Sequence, residues 1–83
     1  MKSFGKLLKT LKETPINGKL HEIKVLTQDE ETLEVAFVNK DLPRTDYVCL
    51  FRKFSSSIDL VCLFPMFDSG FCQYEKIKEI ANS

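Results

Sequence analysis

The chain has no tryptophan, a single histidine, and only three glycines and three prolines in 83 residues. With so few glycines, neither G-x-x-x-x-G-K-S/T nor G-x-G-x-x-G can be written anywhere along it. Loops that cradle phosphates with glycine backbone are thereby excluded. The G-x-S-x-G nucleophile elbow is missing too, so Ser55-Ser56-Ser57 reads as a hairpin loop. A lone His21 could serve as a base only beside a placed nucleophile and an orienting group, and no motif supplies them. The expectation is a chain that is not an enzyme and needs no cofactor.

Long apolar runs are lacking as well. Nothing approaches the roughly 20 apolar residues of a membrane span, and at the N-terminus Lys2 and Lys6 interrupt Phe4, Leu7 and Leu8, unlike a secretory signal. No membrane association is expected. Cysteine is present but unpaired in pattern: Cys49, Cys62 and Cys72 each sit in apolar or aromatic company. An odd count without short spacings makes a poor disulfide framework. Reduced core thiols fit better, and with them a cytoplasmic location. With His21 they reach the count for tetrahedral zinc, but no C-x-x-C-like turn brings two ligands together, so no metal is expected.

What the chain does hold is phenylalanine, seven in all, and a balanced charge of twelve basic and twelve acidic residues. Eighty-three residues make one domain, 1–83. In so short a chain the rings must offset roughly 1.5 kcal/mol of ordering entropy per residue. Zero net charge argues against a general polyanion binder. The charges are nonetheless segregated. Lys2, Lys6, Lys9, Lys12, Lys19 and Lys24 dominate residues 1–24, and Asp29, Glu30, Glu31, Glu34, Asp41 and Asp46 dominate residues 25–46. Such a split can complement itself within the fold or between copies.

Residues 3–13 read as an amphipathic helix, with Phe4, Leu7, Leu8 and Leu11 on one stripe, Lys6 and Lys9 opposite, and Ser3 as N-cap. Pro15 ends it, and Asn17-Gly18 supplies a left-handed turn. Strands follow at 20–27 and 33–39, joined by the polar turn 28–32. In the first, His21 shares a face with Ile23 and Val25. A second hairpin, 47–54 and 58–64, is apolar on both faces, which normally means cover on both faces. Val48, Leu50 and Phe54 oppose Tyr47, Cys49 and Phe51; Ile58, Leu60, Cys62 and Phe64 oppose Val61 and Leu63. After the loop from Pro65 to Gly70, Phe71, Tyr74, Ile77, Ile80 and Ala81 fit a helical stripe, giving a helix over 72–81, with a strand from Phe71 to Tyr74 as the alternative.

The fold class is therefore α+β, a four-stranded antiparallel meander flanked by N- and C-terminal amphipathic helices, α-β-β-β-β-α. One helix would cover each sheet face, or both would share one face with a dimer partner on the other. The second arrangement predicts self-association, in its simplest form as a two-fold homodimer.

By elimination the expected function is that of a small intracellular protein-interaction module. In size and gross character the chain resembles the inhibitors and adaptors that phages and mobile elements express in host cytosol, which implies action on a host protein. Met66, Phe67 and Phe71 are the candidate partner-binding residues, since interfaces draw on aromatic and Met anchors. The alternative is a nucleotide or nucleic-acid binder that meets phosphate with Lys6, Lys9, Arg52 and Lys53. With Arg44 and Arg52 the only arginines, nucleic acid is the lesser expectation.

Overall fold

The computed structural model describes residues 3–66 and 71–83, and the side chains of all of these except Phe71 and Cys72. The order is α1 (Phe4–Glu13), β1 (His21–Gln28), β2 (Thr32–Asn39), β3 (Arg44–Lys53), β4 (Ile58–Pro65) and α2 (Phe71–Asn82). The strands form one antiparallel sheet in the order β1-β2-β3-β4. The meander and the two helices are as the periodicity predicts.

Local chemistry sets the element ends. The Ser3 hydroxyl accepts from the backbone N–H of Lys6 at 3.2 Å, capping α1. Asn17 and Gly18 both take positive φ, 53° and 77°, and the turn closes through paired backbone hydrogen bonds between Ile16 and Lys19. In the β1–β2 turn the Asp29 carboxylate accepts from the N–H groups of Glu31 and Thr32 at 2.9 and 2.8 Å. Those bonds favour the charged form and hold the Asp29 carboxyl below its ordinary range. Its contribution to the turn is therefore present above the ordinary carboxylate range and fades as pH falls through the lowered value. Pro65 closes β4, an edge strand, where a missing N–H is tolerated. At α2 the helical reading prevails over the strand alternative.

Both helices lie on one face. Phe4, Leu7 and Leu11 of α1 and Ile77, Ile80 and Ala81 of α2 join a single core with Ile23, Leu33, Val35, Phe37, Tyr47, Cys49, Phe51, Ile58 and Leu60. Side chains of alternate parity point away from that core. Of the two ways to cover the second hairpin, the chain uses the one that leaves the far face of the sheet open.

Three register shifts adjust the expected parities. One falls between Val25 and Thr27, and Val25 and Leu26 are both exposed there on the edge strand. A second lies between Leu50 and Phe51, opposite Leu60 and Cys62, and leaves Val61 as the extra residue. Past it the strand's faces exchange. Ile58 and Leu60 are core, but Leu63 then packs inward while Cys62 pairs with the outward Leu50 and Phe64 with the outward Val48. Ile58, Leu60, Cys62 and Phe64 thus do not share one face, because a bulge inserts a residue and shifts the pleat. The third shift, between Phe37 and Val38, sits opposite Tyr47 and Thr45 and makes Asp46 the extra residue. β3 accordingly begins at Arg44, earlier than the apolar run starting at Tyr47 suggests.

The two described thiols fall on opposite sides. Cys49 is fully buried, and loss of solvation pushes its thiol well above the usual range, with the nearby Cys62 sulfur adding to it. Cys62 is only half-buried, on the open face. Peptide-resolved labelling with a small thiol reagent in dilute solution should modify Cys62 first and Cys49 only on unfolding. Equal rates for the two would contradict this placement.

Candidate functional site: an open apolar sheet face and a buried polar cluster

The open face is built by residues that alternate with the core. One row runs across all four strands as Lys24, Ala36, Val48 and Phe64, and the next as Glu34, Leu50 and Cys62. Phe64 is 55% exposed and Leu26, beside the first row, 50%. Val38, Val48, Leu50 and Cys62 are half-buried only by their neighbours within the sheet. Among the described residues, the register places the ionised side chains of Glu22, Lys24, Glu34, Arg52 and Asp59 on this face, and Lys40 and Arg44 line the end of its groove. On the β1–β2 half the surface is concave: Glu22, Lys24, Leu26, Ala36 and Val38 line a groove of about 520 Å³ that extends to Pro43 and Thr45. Phe64 stands on the opposite, β4 half.

Of the candidate anchors, Met66 directly follows β4 and is 55% exposed. Two residues beyond Phe64, it extends the same apolar edge. Phe67 and the side chain of Phe71 lie outside the described residues.

The four candidate phosphate ligands do not form one basic patch. Lys6 and Lys9 are exposed on the outer side of α1. Lys53 ends β3 beside the acidic turn, sharing a depression with Asp29, Glu30 and Glu31, and its N–H donates to the Glu31 carbonyl at 2.7 Å. Arg52 points to the far side of the sheet from α1. Its guanidinium lies 4.0 Å from the Glu31 carboxylate and 5.8 Å from the centroid of the Phe54 ring.

A second polar constellation sits at the end of the sheet where β1 begins. His21, 4% exposed, donates from Nε2 to Asp46 Oδ2 at 3.1 Å, and Asp46 is 2% exposed. As a carboxylate Asp46 can only accept, which fixes the shared proton on Nε2. Asn39 Nδ2 donates to the same oxygen at 3.3 Å, and Arg44 Nε to Oδ1 at 3.3 Å. The His21 ring packs against both Phe37 and Tyr47, with centroids 5.7 and 5.4 Å away. A small cavity of about 200 Å³ opens beside it, lined by Ile16, Asn17, Lys19, Tyr47 and Gln73.

His21 and Asp46 have the relation of a base and its orienting carboxylate. Among the described residues, those lining the cavity include no Ser, Thr or Cys to act as the nucleophile such a pair would activate. Among the described residues, no three His, Cys, Asp or Glu side chains converge as a metal-ligand set. The donors to the Asp46 carboxylate come from β1, β2 and β3, so the cluster ties three strand ends together.

His21 is packed on the core side with Ile23, as its strand parity implies, whereas Asp46 is not legible as its partner. It stands in an acidic stretch next to a proline-containing turn, and only the bulge turns it inward. The apolar patch is readable in part, from the two-sided pattern of β3 and β4.

No family model, curated protein or solved structure matches the chain. No helix among the described residues is long and apolar enough to cross a membrane.

Proposed function

We propose that this chain is a protein-interaction module and that the open face of its sheet is the docking surface. The observation that carries this reading is the apolar strip from Leu26 through Ala36, Val48 and Leu50 to Phe64, on the face away from both helices, with Leu26 and Phe64 exposed, Val48 and Leu50 half-buried and the small Ala36 buried between its neighbours. Contiguous exposed apolar surface marks an interaction site on a small protein. Large aromatics with charged residues at the rim are the makings of an interface. Free thiols at Cys49 and Cys62 suit a reducing compartment, so the cytoplasm is the proposed location. An inhibitor or adaptor acting on a host protein is the form of this activity that the small size favours.

Phosphate recognition is less well supported. Arg52 is on the other side of the sheet from Lys6 and Lys9, and Lys53 is flanked by carboxylates.

The two readings separate by capture from nuclease-treated native lysate, comparing wild type, Phe64→Glu and Lys6→Glu with Lys9→Glu. Protein bound by wild type should be lost with Phe64→Glu and kept by the lysine double variant. Loss with the lysines and retention with Phe64→Glu would move the site to α1.

A further inference from the structure

We infer that the occupant of the open sheet face is a second copy of this chain, seated by a two-fold axis that runs parallel to the strands between β2 and β3. This rests on the reading of that face as a docking surface and names its partner. The two sheets would stack about 10 Å apart to give a helix–sheet–sheet–helix sandwich.

Three features of the face match themselves under this operation. The first is shape. A two-fold along the strands exchanges β1 with β4 and β2 with β3, so the row Lys24–Ala36–Val48–Phe64 meets its own reverse. The protruding Phe64 of one copy is then carried over the groove lined by Lys24, Leu26 and Ala36 of the other, and Val48 is carried over Ala36, the smallest residue of the row. Both contacts occur twice, as an isologous interface requires. An aromatic ring laid on the Lys24 stem beneath its ammonium group is favourable in its own right.

The second feature is charge. The face carries Glu22, Glu34 and Asp59 together with Lys24 and Arg52, and Lys40 and Arg44 at the groove's end, so no patch of a single sign spans it to repel its own copy. The exchange of β2 with β3 carries Arg52 of one chain over Thr32 of the other, one row from its Glu34. The third is size. The molecule measures 36 by 21 Å in two of its principal dimensions, which bounds the footprint that its sheet face can offer. That is on the order of the ~800 Å² per partner typical of stable interfaces.

The test is sedimentation velocity on the purified full chain over a range of concentrations, with two single variants and their mixture. Phe64→Ala removes the projecting ring, and Ala36→Phe fills the groove that receives it. Each variant alone should associate at least about tenfold more weakly than wild type, with circular dichroism confirming its fold. Mixing them should restore association as a heterodimer. In that pair one contact is native, and the other sets the ring introduced at position 36 against the space left at position 64.

A wild-type chain that stays monomeric to high concentration would overturn the inference, as would an Ala36→Phe protein that dimerises like wild type. A mixture that does not recover would also overturn the proposed axis. A monomeric wild type that still captures protein from lysate through Phe64 would overturn only the identity of the occupant. A monomeric wild type that also captures no protein through Phe64 would instead remove the docking surface itself.

Discussion

Asp46→Ala should remove about half or more of the protein's stability. The substitution strips three buried or half-buried donors, His21 Nε2, Asn39 Nδ2 and Arg44 Nε, of their shared acceptor. Breaking a buried charged pair from one side costs about 3–5 kcal/mol, because the remaining groups stay buried without a partner. A domain of this length has only about 5–10 kcal/mol to lose. His21→Phe is the instructive contrast. It keeps an aromatic ring against Phe37 and Tyr47 and leaves Asp46 bonded to Asn39 and Arg44, so it should cost no more than about 2 kcal/mol. Urea denaturation followed by circular dichroism measures both. Equal destabilisation by the two variants would mean that the ring, rather than the carboxylate, holds the strand ends together.

The second large effect lies in the core. Phe37 is fully buried in a central strand, stacked on Tyr47 at 4.6 Å between centroids and touching the edge of the His21 ring. Phe37→Ala should cost about 3–5 kcal/mol, from lost transfer energy and the cavity left behind. Phe64→Ala removes the same side chain from a ring that is 55% exposed and should cost well under half as much in the monomer. Thermal or urea melts at low concentration compare the two directly. A similar loss for both would show Phe64 to be a core residue and would remove the main support for an open docking face.

The contrast between these two phenylalanines shows where sequence reading works and where it stops. Alternation in β2 places Phe37 inward beside Leu33 and Val35, and the structure agrees. For Phe64 the same rule predicts company with Ile58 and Leu60, but the bulge at Val61 sends it to the other face. A bulge costs one residue of phase and has no fixed sequence mark, so strict period-two counting fails beyond it. Asp46 illustrates the same failure at the opposite end of the sheet.

The stripes of α1 and α2 are legible, yet a stripe specifies only which side of a helix is buried. It does not say which face of the sheet the helix will cover. That choice follows from α1 packing on β1, α2 on β4, and the two helices on each other. It is the choice that exposes the candidate site.

Cys62 reports most directly on whether the open sheet is a docking face, since its half-buried sulfur sits beside Leu50 and Phe64 while Cys49 lies on the core side. The measurement is the rate of thiol labelling, resolved by peptide, from micromolar to near-millimolar protein. Cover by a second copy predicts that Cys62 labelling slows as concentration rises, that Phe64→Glu abolishes the slowing, and that Cys49 stays equally slow throughout. A Cys62 rate independent of concentration in the wild type, the same as in Phe64→Glu, would contradict the account.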